Sequence, residues 1–398
     1  MESGIGAPLR ARVVSVGATT VVAVLLAACP PTDPRTVPDN DPPPAPEGPG
    51  ATHEYTVNEL VTGLEHPWAV AFLPGGDMLI TERPGRVRLV RDGQLADQPV
   101  QGAPDARSGG QGGMLDIVLH PDFDANSLVY ISYSKAVPGG RTTAVARARW
   151  ENDRLEGTED VFVADAAGPG GQHFGSRIAF DPDGYMYVTI GDRGSPDRSQ
   201  DLGDHAGVTV RLHDDGQVPD DNPFVDRDDA RAEIYTYGNR NSQGMAIHPE
   251  TDEVWQNEHG PRGGDEINVM TAGGNYGWPE YRYGDHYDTR PIPDYDPAAD
   301  VVMPLVDWTP ALAPSGMAFY TGDLFPNWNG NVFNGGLAAR QIRRVVFDDT
   351  EATHQEELLI DYGERIRDVR DGPDGYIYFL TDSPNGVLAR LEPVDNGT

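Results

Sequence analysis

Three short phrases of the chain carry the side chains that acid–base chemistry needs. His173 opens His-Phe-Gly-Ser-Arg-Ile, Asp192 lies in Gly-Asp-Arg-Gly, and residues 257–261 read Asn-Glu-His-Gly-Pro. A histidine titrates near neutral pH and can act as a general base, and a carboxylate can orient its imidazole and stabilise the cation. The glycine-rich loop around His173 would let the backbone approach a ligand closely. Spacing alone favours a turn role for Asp192, because aspartate between glycines is typical of turns.

The third phrase belongs to an oxygen-rich stretch, residues 257–268, which is followed by tight turns at 274–279. Backbone carbonyls of Gly260 and Pro261, with carboxylates nearby, would suit Ca²⁺, a hard cation with flexible geometry. The sequence contains no EF-hand loop. The stretch is therefore a candidate calcium site built on main-chain oxygens.

Arginines recur at one position of the chain's repeat. Arg240 and Asn241 come just before its fourth copy, and Arg365 and Arg367 lie in the matching place at the sixth. In so acidic a chain these arginines could simply pair with aspartates. Their equivalent placement instead indicates a shared anionic ligand, because guanidinium groups bind carboxylates and phosphates through paired hydrogen bonds.

The elements that must position these residues are strands. Short runs rich in Val, Ile, Tyr and Phe alternate with Gly and Pro-Asp-Gly turns, which predicts β structure throughout. One two-strand unit recurs six times, with room for two more strands after each copy. The copies lie at residues 68–81, 114–121, 176–189, 244–249, 316–322 and 366–381.

This repeat predicts an all-β fold, a six-bladed β-propeller with four-stranded antiparallel blades. A four-stranded sheet cannot cover both of its faces alone, so such sheets stack radially. A β-sandwich would not repeat six times. We expect the strand at 55–62 to complete the sheet that contains 376–391, which closes the ring and removes its open edges. Loops at one end of the central channel would then hold the ligand site.

Charge excludes one class of function. The chain of 398 residues carries 30 Lys+Arg against 63 Asp+Glu, a net charge of −33, and its one lysine is Lys135. Nucleic-acid binding needs a basic surface, so no nucleic-acid partner is expected.

The N-terminus has the pattern of a targeting segment. Arg10 and Arg12 precede an apolar run that ends in Leu-Ala-Ala-Cys at Cys29, which resembles a bacterial lipobox. We predict a lipoprotein signal peptide at 1–28, lipidation of Cys29, a Pro-rich tether at 29–52 and the catalytic propeller at 53–395. The alternative is an uncleaved anchor helix. The first prediction implies an exported protein that is lipid-anchored at the cell membrane, on the extracytoplasmic face or in the periplasm.

From residue 55 to 393 the chain resembles the soluble pyrroloquinoline quinone (PQQ)-dependent aldose sugar dehydrogenases, the glucose/sorbosone dehydrogenase family. Any one shared motif is modest evidence, but their number and order make coincidence implausible. The motifs are Gln111-Gly-Gly-Met-Leu, His173-Phe-Gly-Ser-Arg, Ile190-Gly-Asp-Arg-Gly, Gly238-Asn-Arg-Asn-Ser-Gln-Gly, Glu258-His-Gly-Pro, Gly264-Asp-Glu, Asn275-Tyr-Gly-Trp-Pro and Arg365-Ile-Arg-Asp.

The resemblance implies PQQ and Ca²⁺ as cofactors and the oxidation of aldose sugars to lactones, by general-base-assisted hydride transfer to a Ca²⁺-bound quinone. His173 matches the family's base, which takes the proton of the anomeric hydroxyl. Asp192 matches the carboxylate that supports this histidine. Arg240 matches the arginine that stabilises negative charge on the cofactor.

The resemblance also implies roles for further residues. Gly260 and Pro261 match carbonyl ligands of the calcium ion, and Glu266 and Tyr276 match a second calcium site. Gln111 matches a polar residue beside the base. The cofactor contacts that it implies are Gln111, Asn241, His259, Arg340, Arg365 and Arg367.

Two positions depart from the family pattern. Glucose enzymes of the family place a cofactor-binding lysine in the fifth blade, where this chain reads Gly-Leu-Ala-Ala-Arg at 336–340. Either Arg340 substitutes for it or the contact is missing. Gln172, before the base, replaces an expected acid, which affects the sugar contacts.

Two other functions compete with a quinoprotein dehydrogenase. One is a cofactor-free propeller that binds carbohydrate or protein, although binding alone needs no base. The other is a Ca²⁺-dependent lactonase-type hydrolase, although the arginines suit an anionic cofactor better. The expected partners are aldose sugars and an electron acceptor that the sequence does not identify, and the expected assembly is a monomer.

Overall fold

The computed structural model describes residues 52–293, 295 and 299–394. The predicted signal peptide, Cys29 and the tether up to residue 51 lie outside these residues. Within the described ranges, no helix is long and apolar enough to cross a membrane.

Twenty-four strands of the described chain form six four-stranded antiparallel sheets. The first strand, β1 (Tyr55–Leu64), belongs to the last blade. Blade 1 contains β2 (Pro67–Phe72), β3 (Met78–Glu82), β4 (Arg86–Arg91) and β5 (Gln94–Leu95). Blade 2 contains β6 (Met114–Leu119), β7 (Leu128–Val137), β8 (Gly140–Glu151) and β9 (Arg154–Val163). Blade 3 contains β10 (Ile178–Phe180), β11 (Met186–Ile190), β12 (Val208–Leu212) and β13 (Ile234–Tyr237).

Blade 4 contains β14 (Ser242–Ile247), β15 (Val254–Glu258), β16 (Asp265–Val269) and β17 (Val306–Trp308). Blade 5 contains β18 (Pro314–Phe319), β19 (Val332–Gly336), β20 (Gln341–Asp348) and β21 (Glu351–Leu358). Blade 6 contains β22 (Ile366–Asp371), β23 (Ile377–Thr381), β24 (Gly386–Pro393) and the first strand of the chain, β1 (Tyr55–Leu64). The described helices are short: α1 (Phe123–Asn126) and 3₁₀ turns at Pro196–Gln200, Pro326–Trp328 and Ile360–Tyr362.

The sheets close into a ring. The first strands of the blades, β2, β6, β10, β14, β18 and β22, each contact the first strands of both neighbouring blades. β1 pairs with β24 from Tyr55 opposite Pro393 to Leu64 opposite Gly386. The predicted six-bladed propeller is therefore confirmed, and so is the prediction that the strand near residue 55 completes the last blade.

Burial between blades explains why the strands are so apolar. All five residues of Met78–Glu82 and of Met186–Ile190 are buried, because each sheet is covered on both faces. The hydrophobic cores lie between neighbouring blades. Leu79 of blade 1, for example, packs in one cluster with Ile131 of blade 2. Truncating such a side chain to alanine costs about 2–5 kcal/mol.

The channel between the first strands is filled with charged side chains. Arg177 and Arg370 both pair with Asp116 and Asp368, at distances from 2.6 to 3.1 Å. The bond from Arg370 to Asp116 joins blade 6 to blade 2, across the channel. Because all four charges are paired, their burial is tolerated. A cavity of about 1140 Å³ lies where the first strands end, lined in part by residues 70–76 and 370–375.

Candidate active site

The candidate residues gather at the other end of the channel, where the first strands begin. His173 lies in the loop between β9 and β10 with φ +53, a left-handed conformation that is unusual for a residue with a side chain. Its backbone NH donates to Gln111 Oε1 at 2.7 Å, and Arg193 Nη1 donates to its carbonyl at 3.1 Å. A Cβ on Gly191 would lie 2.3 Å from that carbonyl, so only glycine fits there. These contacts fix His173 in a strained conformation.

Asp192 follows β11 and holds the ring of His173. Its Oδ1 lies 2.6 Å from His173 Nδ1 and accepts a 2.7 Å hydrogen bond from the Gly194 NH. Asp192 is 1% exposed. Burial opposes ionisation, but hydrogen bonds from His173 and Gly194 and the charge of Arg240 hold the pKa of Asp192 below its ordinary value. With Nδ1 facing a carboxylate, Nε2 is the nitrogen of the neutral ring that carries the lone pair.

The sequence did not assign a role to Trp278, although it lies in one of the family motifs. Its indole Nε1 donates to Asp192 Oδ2 at 2.9 Å, so both oxygens of the carboxylate are engaged. Trp278 is 3% exposed, and a buried indole NH requires an acceptor. The need of a buried indole NH for an acceptor was the one signal for this contact in the sequence. It did not show that the acceptor would be Asp192, 86 positions away.

Arg240 adjoins this pair. Its carbonyl accepts a 2.9 Å hydrogen bond from the Asp192 NH, and its own NH donates to Glu258 Oε2 at 3.0 Å. The guanidinium lies 5.5 Å from the Trp278 ring centre, and its Nη2 donates to the hydroxyl of Tyr287 at 3.1 Å. Arg240 is 4% exposed overall. The structure thus brings a histidine, a buried carboxylate and a buried arginine together.

Asn241 and His259 are held by neighbouring blades. Asn241 Oδ1 accepts hydrogen bonds from the Gly175 NH at 3.1 Å and from Gln243 Nε2 at 3.3 Å, which leaves its amide nitrogen to donate to a ligand. His259 Nε2 lies 2.6 Å from the Pro314 carbonyl. Burial, together with the charge of Arg240, lowers the pKa of His259 well below its ordinary value, so its ring is neutral.

Two arginines of blade 6 line the same end of the channel. Arg367 is buried, donates to Gln243 Oε1 at 2.9 Å and lies 5.1 Å from the Trp68 ring centre. Burial lowers the pKa of Arg367 to about 10. Among the described residues, its Nε has no hydrogen-bond partner. Arg365 is half-exposed and pairs with Asp382 at 3.1 Å.

Arg340, predicted as a replacement for the family's lysine, lies in the turn between β19 and β20. Its Nη1 donates to the Gly363 carbonyl at 3.0 Å, and the residue is exposed. This hydrogen bond therefore joins Arg340 to the loop before blade 6 and not to the residues around His173.

The turn at Gly260 and Pro261 is buried and rich in carbonyls. The Gly260 NH donates to Asp265 Oδ1 at 2.7 Å, and Asp265 Oδ2 accepts from the Ala313 NH at 2.6 Å. Burial raises the pKa of Asp265 to about 6. In the described part of the chain, no three His, Cys, Asp or Glu side chains cluster as a metal site would need. A calcium ion here would therefore depend on main-chain oxygens, as the sequence suggested.

Comparison with known proteins agrees with this arrangement. The family model described as Glucose / Sorbosone dehydrogenase matches residues 64–390. Aldose sugar dehydrogenase YliI of Escherichia coli (strain K12) is 43% identical over 343 residues, covering 85% of this chain and 92% of that protein. The chain belongs to the glucose/sorbosone dehydrogenase family. The resemblance seen in the sequence is confirmed, and the protein is an oxidoreductase of that family.

Solved structures superpose on most of this chain. The soluble aldose sugar dehydrogenase of E. coli, in its apo form, superposes with a TM-score of 0.83 at 41% identity, covering 86% of this chain and 100% of that one. The PQQ-bound form of aldose sugar dehydrogenase from Streptomyces coelicolor gives a TM-score of 0.70 at 26% identity, covering 86% and 99%.

One pair of predicted ligands does not fit its expected role. Glu266 Oε1 and the Tyr276 carbonyl, expected to hold a second calcium ion, lie 3.1 and 3.0 Å from the hydroxyl of Tyr295. Arg282 Nη2 lies 3.3 Å from Glu266 Oε2. These oxygens are thus engaged by the protein's own side chains, and the donor set that a metal would need is occupied.

Proposed function

We propose that this protein oxidises aldose sugars to lactones with PQQ held beside a Ca²⁺ ion. The observation that carries the proposal is the 2.6 Å contact between His173 Nδ1 and the buried carboxylate of Asp192, next to Arg240. A binding propeller needs no oriented base, and a metal hydrolase would not need a cluster of buried arginines.

His173 takes the proton of the sugar's anomeric hydroxyl on Nε2. Asp192 keeps the Nδ1 proton in place and orients the ring so that Nε2 faces the substrate. Trp278 and Gly194 keep the carboxylate ionised and oriented. PQQ, when bound, supplies the two-electron acceptor that takes the hydride from the anomeric carbon.

The arginines suit a cofactor that carries several carboxylates. Arg367 Nε is buried with no acceptor among the described residues, and an anion above the channel would supply one. Arg240 and Arg365 add positive charge at the same end, and Asn241 adds an amide donor. On a chain with a net charge of −33, a local arginine cluster is also what would attract an anion.

Calcium would bind at the carbonyls of Gly260 and Pro261, next in sequence to His259. Asp265 pins this turn through the Gly260 NH, so the carbonyls are held in place before a ligand arrives. A cation at this turn would neutralise negative charge on the bound cofactor.

We also propose, from the sequence, that Cys29 anchors the propeller to the outer side of a cell membrane. The Pro-rich segment that follows Cys29 would serve as a tether between the lipid and the domain. We also propose that the protein is a monomer.

Reconstitution tests the function. Purified apoprotein is mixed with PQQ and Ca²⁺, and aldose-dependent reduction of an artificial electron acceptor is recorded, with samples lacking PQQ or sugar as controls. We expect reduction only with both. A PQQ-loaded protein, verified by its absorbance, that reduces the acceptor with none of a panel of aldoses would contradict the proposal.

A further inference from the structure

Blade 4 contains two buried carboxylates that face each other. Glu258 of β15 and Glu266 of β16 are direct cross-strand partners, and both are 0% exposed. Like charges directly opposite on neighbouring strands destabilise a sheet, and burial makes the repulsion stronger. A cation at this point relieves that repulsion.

Arg282 supplies that cation. Its side chain is also 0% exposed, its Nη1 pairs with Glu258 Oε1, and its Nη2 lies 3.3 Å from Glu266 Oε2. The guanidinium is fixed by a third contact, from Nε to the Gly264 carbonyl at 3.1 Å. It therefore bridges the two strands in the way a bound metal ion would.

The remaining oxygens of the predicted second calcium site are engaged as well. The Tyr295 hydroxyl lies between Glu266 Oε1 and the Tyr276 carbonyl, and Asn268 Nδ2 donates to Glu266 Oε2 at 3.2 Å. Calcium requires six to eight oxygen ligands. A divalent ion beside Glu266 would have to displace the tyrosine and would also face the positive charge of Arg282.

Local packing keeps the arginine in place. The Arg282 NH donates to the Pro293 carbonyl at 3.0 Å. The next residue presses on blade 4 so closely that a Cβ on Gly264 would lie 1.7 Å from the Tyr283 carbonyl. The segment that contains Arg282 and Tyr283 is thus packed tightly against blade 4.

We propose that Arg282 is a built-in cation that takes the place of a second calcium ion, so that this position binds no metal in this protein. The inference goes beyond the proposed function and does not depend on sugar oxidation or on PQQ. The inference also gives Arg282 a role in positioning Arg240 through Glu258. One carboxylate oxygen of Glu258 pairs with Arg282, and the other, Oε2, accepts a hydrogen bond from the Arg240 NH at 3.0 Å.

Thermal unfolding of the full-chain apoprotein tests the proposal, with EGTA and then with excess Ca²⁺. Arg282→Ala leaves two buried carboxylates without their cation, so we expect its Tm to fall by about 5–10 °C in EGTA. Calcium should recover much of that loss in Arg282→Ala, because the variant opens the site. The double variant Glu266→Gln/Arg282→Ala should lose this recovery and respond to calcium no more than the wild type does.

Arg290→Ala is the matched control, since Arg290 is an exposed arginine of the same segment that pairs with Asp288. It removes the same charge and should leave both the Tm and its calcium response at wild-type values. A calcium-induced rise in the wild type as large as that in Arg282→Ala would overturn the proposal.

A second measurement needs no variant. Wild-type crystals soaked in Tb³⁺, a calcium substitute, should show no anomalous peak between Glu266 and the Tyr276 carbonyl. A peak there would overturn the proposal even if Arg282→Ala failed to fold.

Discussion

The indole Nε1 of Trp278 lies 2.9 Å from Asp192 Oδ2, on the carboxylate oxygen that His173 leaves unused. The two side chains come from neighbouring blades, so their contact depends on how blades 3 and 4 pack together. The contact makes Trp278 a positioning residue, which acts through Asp192.

Trp278→Phe tests this positioning role. The substitution keeps an aromatic ring but removes the donor, and a hydrogen bond to a charged group is worth about 1.5–3 kcal/mol. We expect kcat to fall by about 10–100-fold while the affinity for PQQ stays close to that of the wild type. Steady-state kinetics and a PQQ titration measure the two quantities.

Trp308→Phe is the matched control, because its Nε1 donates to Gln355 Oε1 at 2.7 Å in the outer part of the blades. It should leave kcat unchanged. Equal losses in the two variants would indicate a general structural effect and contradict a role through Asp192.

The contribution of Asp382 to the stability of the fold should depend on pH. It accepts hydrogen bonds from Arg365 and contacts His66 Nδ1 at 2.9 Å. Burial opposes ionisation, but the charge of Arg367, a hydrogen bond from His66 and the charges of two further arginines lower the pKa of Asp382 to about 2. A carboxyl whose folded pKa lies below the unfolded value of about 3.9 stabilises the fold above that pH and loses the effect as the pH falls through the folded pKa.

We therefore expect Asp382→Asn to lower the free energy of unfolding by about 2 kcal/mol at pH 7. The difference from the wild type should shrink as the pH falls from about 4 toward 2, as measured by urea unfolding. A deficit that keeps its full size at the lowest pH where the wild type remains folded would show that the charge is not responsible.

Local patterns predicted the fold well. The six repeats each overlap the first strand of a blade, because strand alternation and Pro-Asp-Gly turns are set by neighbouring residues. The closing strand was also predicted. Long-range contacts were not: nothing near Arg282 in the sequence shows that its guanidinium lies between Glu258 and Glu266. The contact of Trp278 with Asp192 was likewise hidden, because it depends on how two blades meet.

Calcium removal should separate cofactor binding from folding. A strong chelator should abolish PQQ-dependent activity, and added Ca²⁺ should restore it, since the ion would join the Gly260 turn to the cofactor. The wild-type apoprotein should remain folded without calcium, because Arg282 replaces the second ion. Full activity in a sample that elemental analysis shows to be free of calcium would rule out the metal site.

The anchor can be tested independently of catalysis. Cys29→Ser should move the protein from the membrane fraction to the soluble fraction, while the specific activity of the propeller stays unchanged, because the Pro-rich tether separates the two. Membrane fractionation with immunoblotting measures the distribution. A Cys29→Ser protein that still sediments with membranes would show that the lipobox interpretation is wrong.

The central claim is that His173 is the base, and one comparison tests it most directly. His173→Ala and Arg365→Ala apoproteins are each titrated with PQQ in Ca²⁺, and the turnover of an aldose is measured at saturating cofactor. We expect His173→Ala to bind PQQ nearly as tightly as the wild type but to turn over about 10²–10⁴-fold more slowly. Arg365→Ala should bind PQQ more weakly and regain much of its activity in excess PQQ. A His173→Ala protein that binds PQQ and oxidises aldoses at a near wild-type rate would contradict the account.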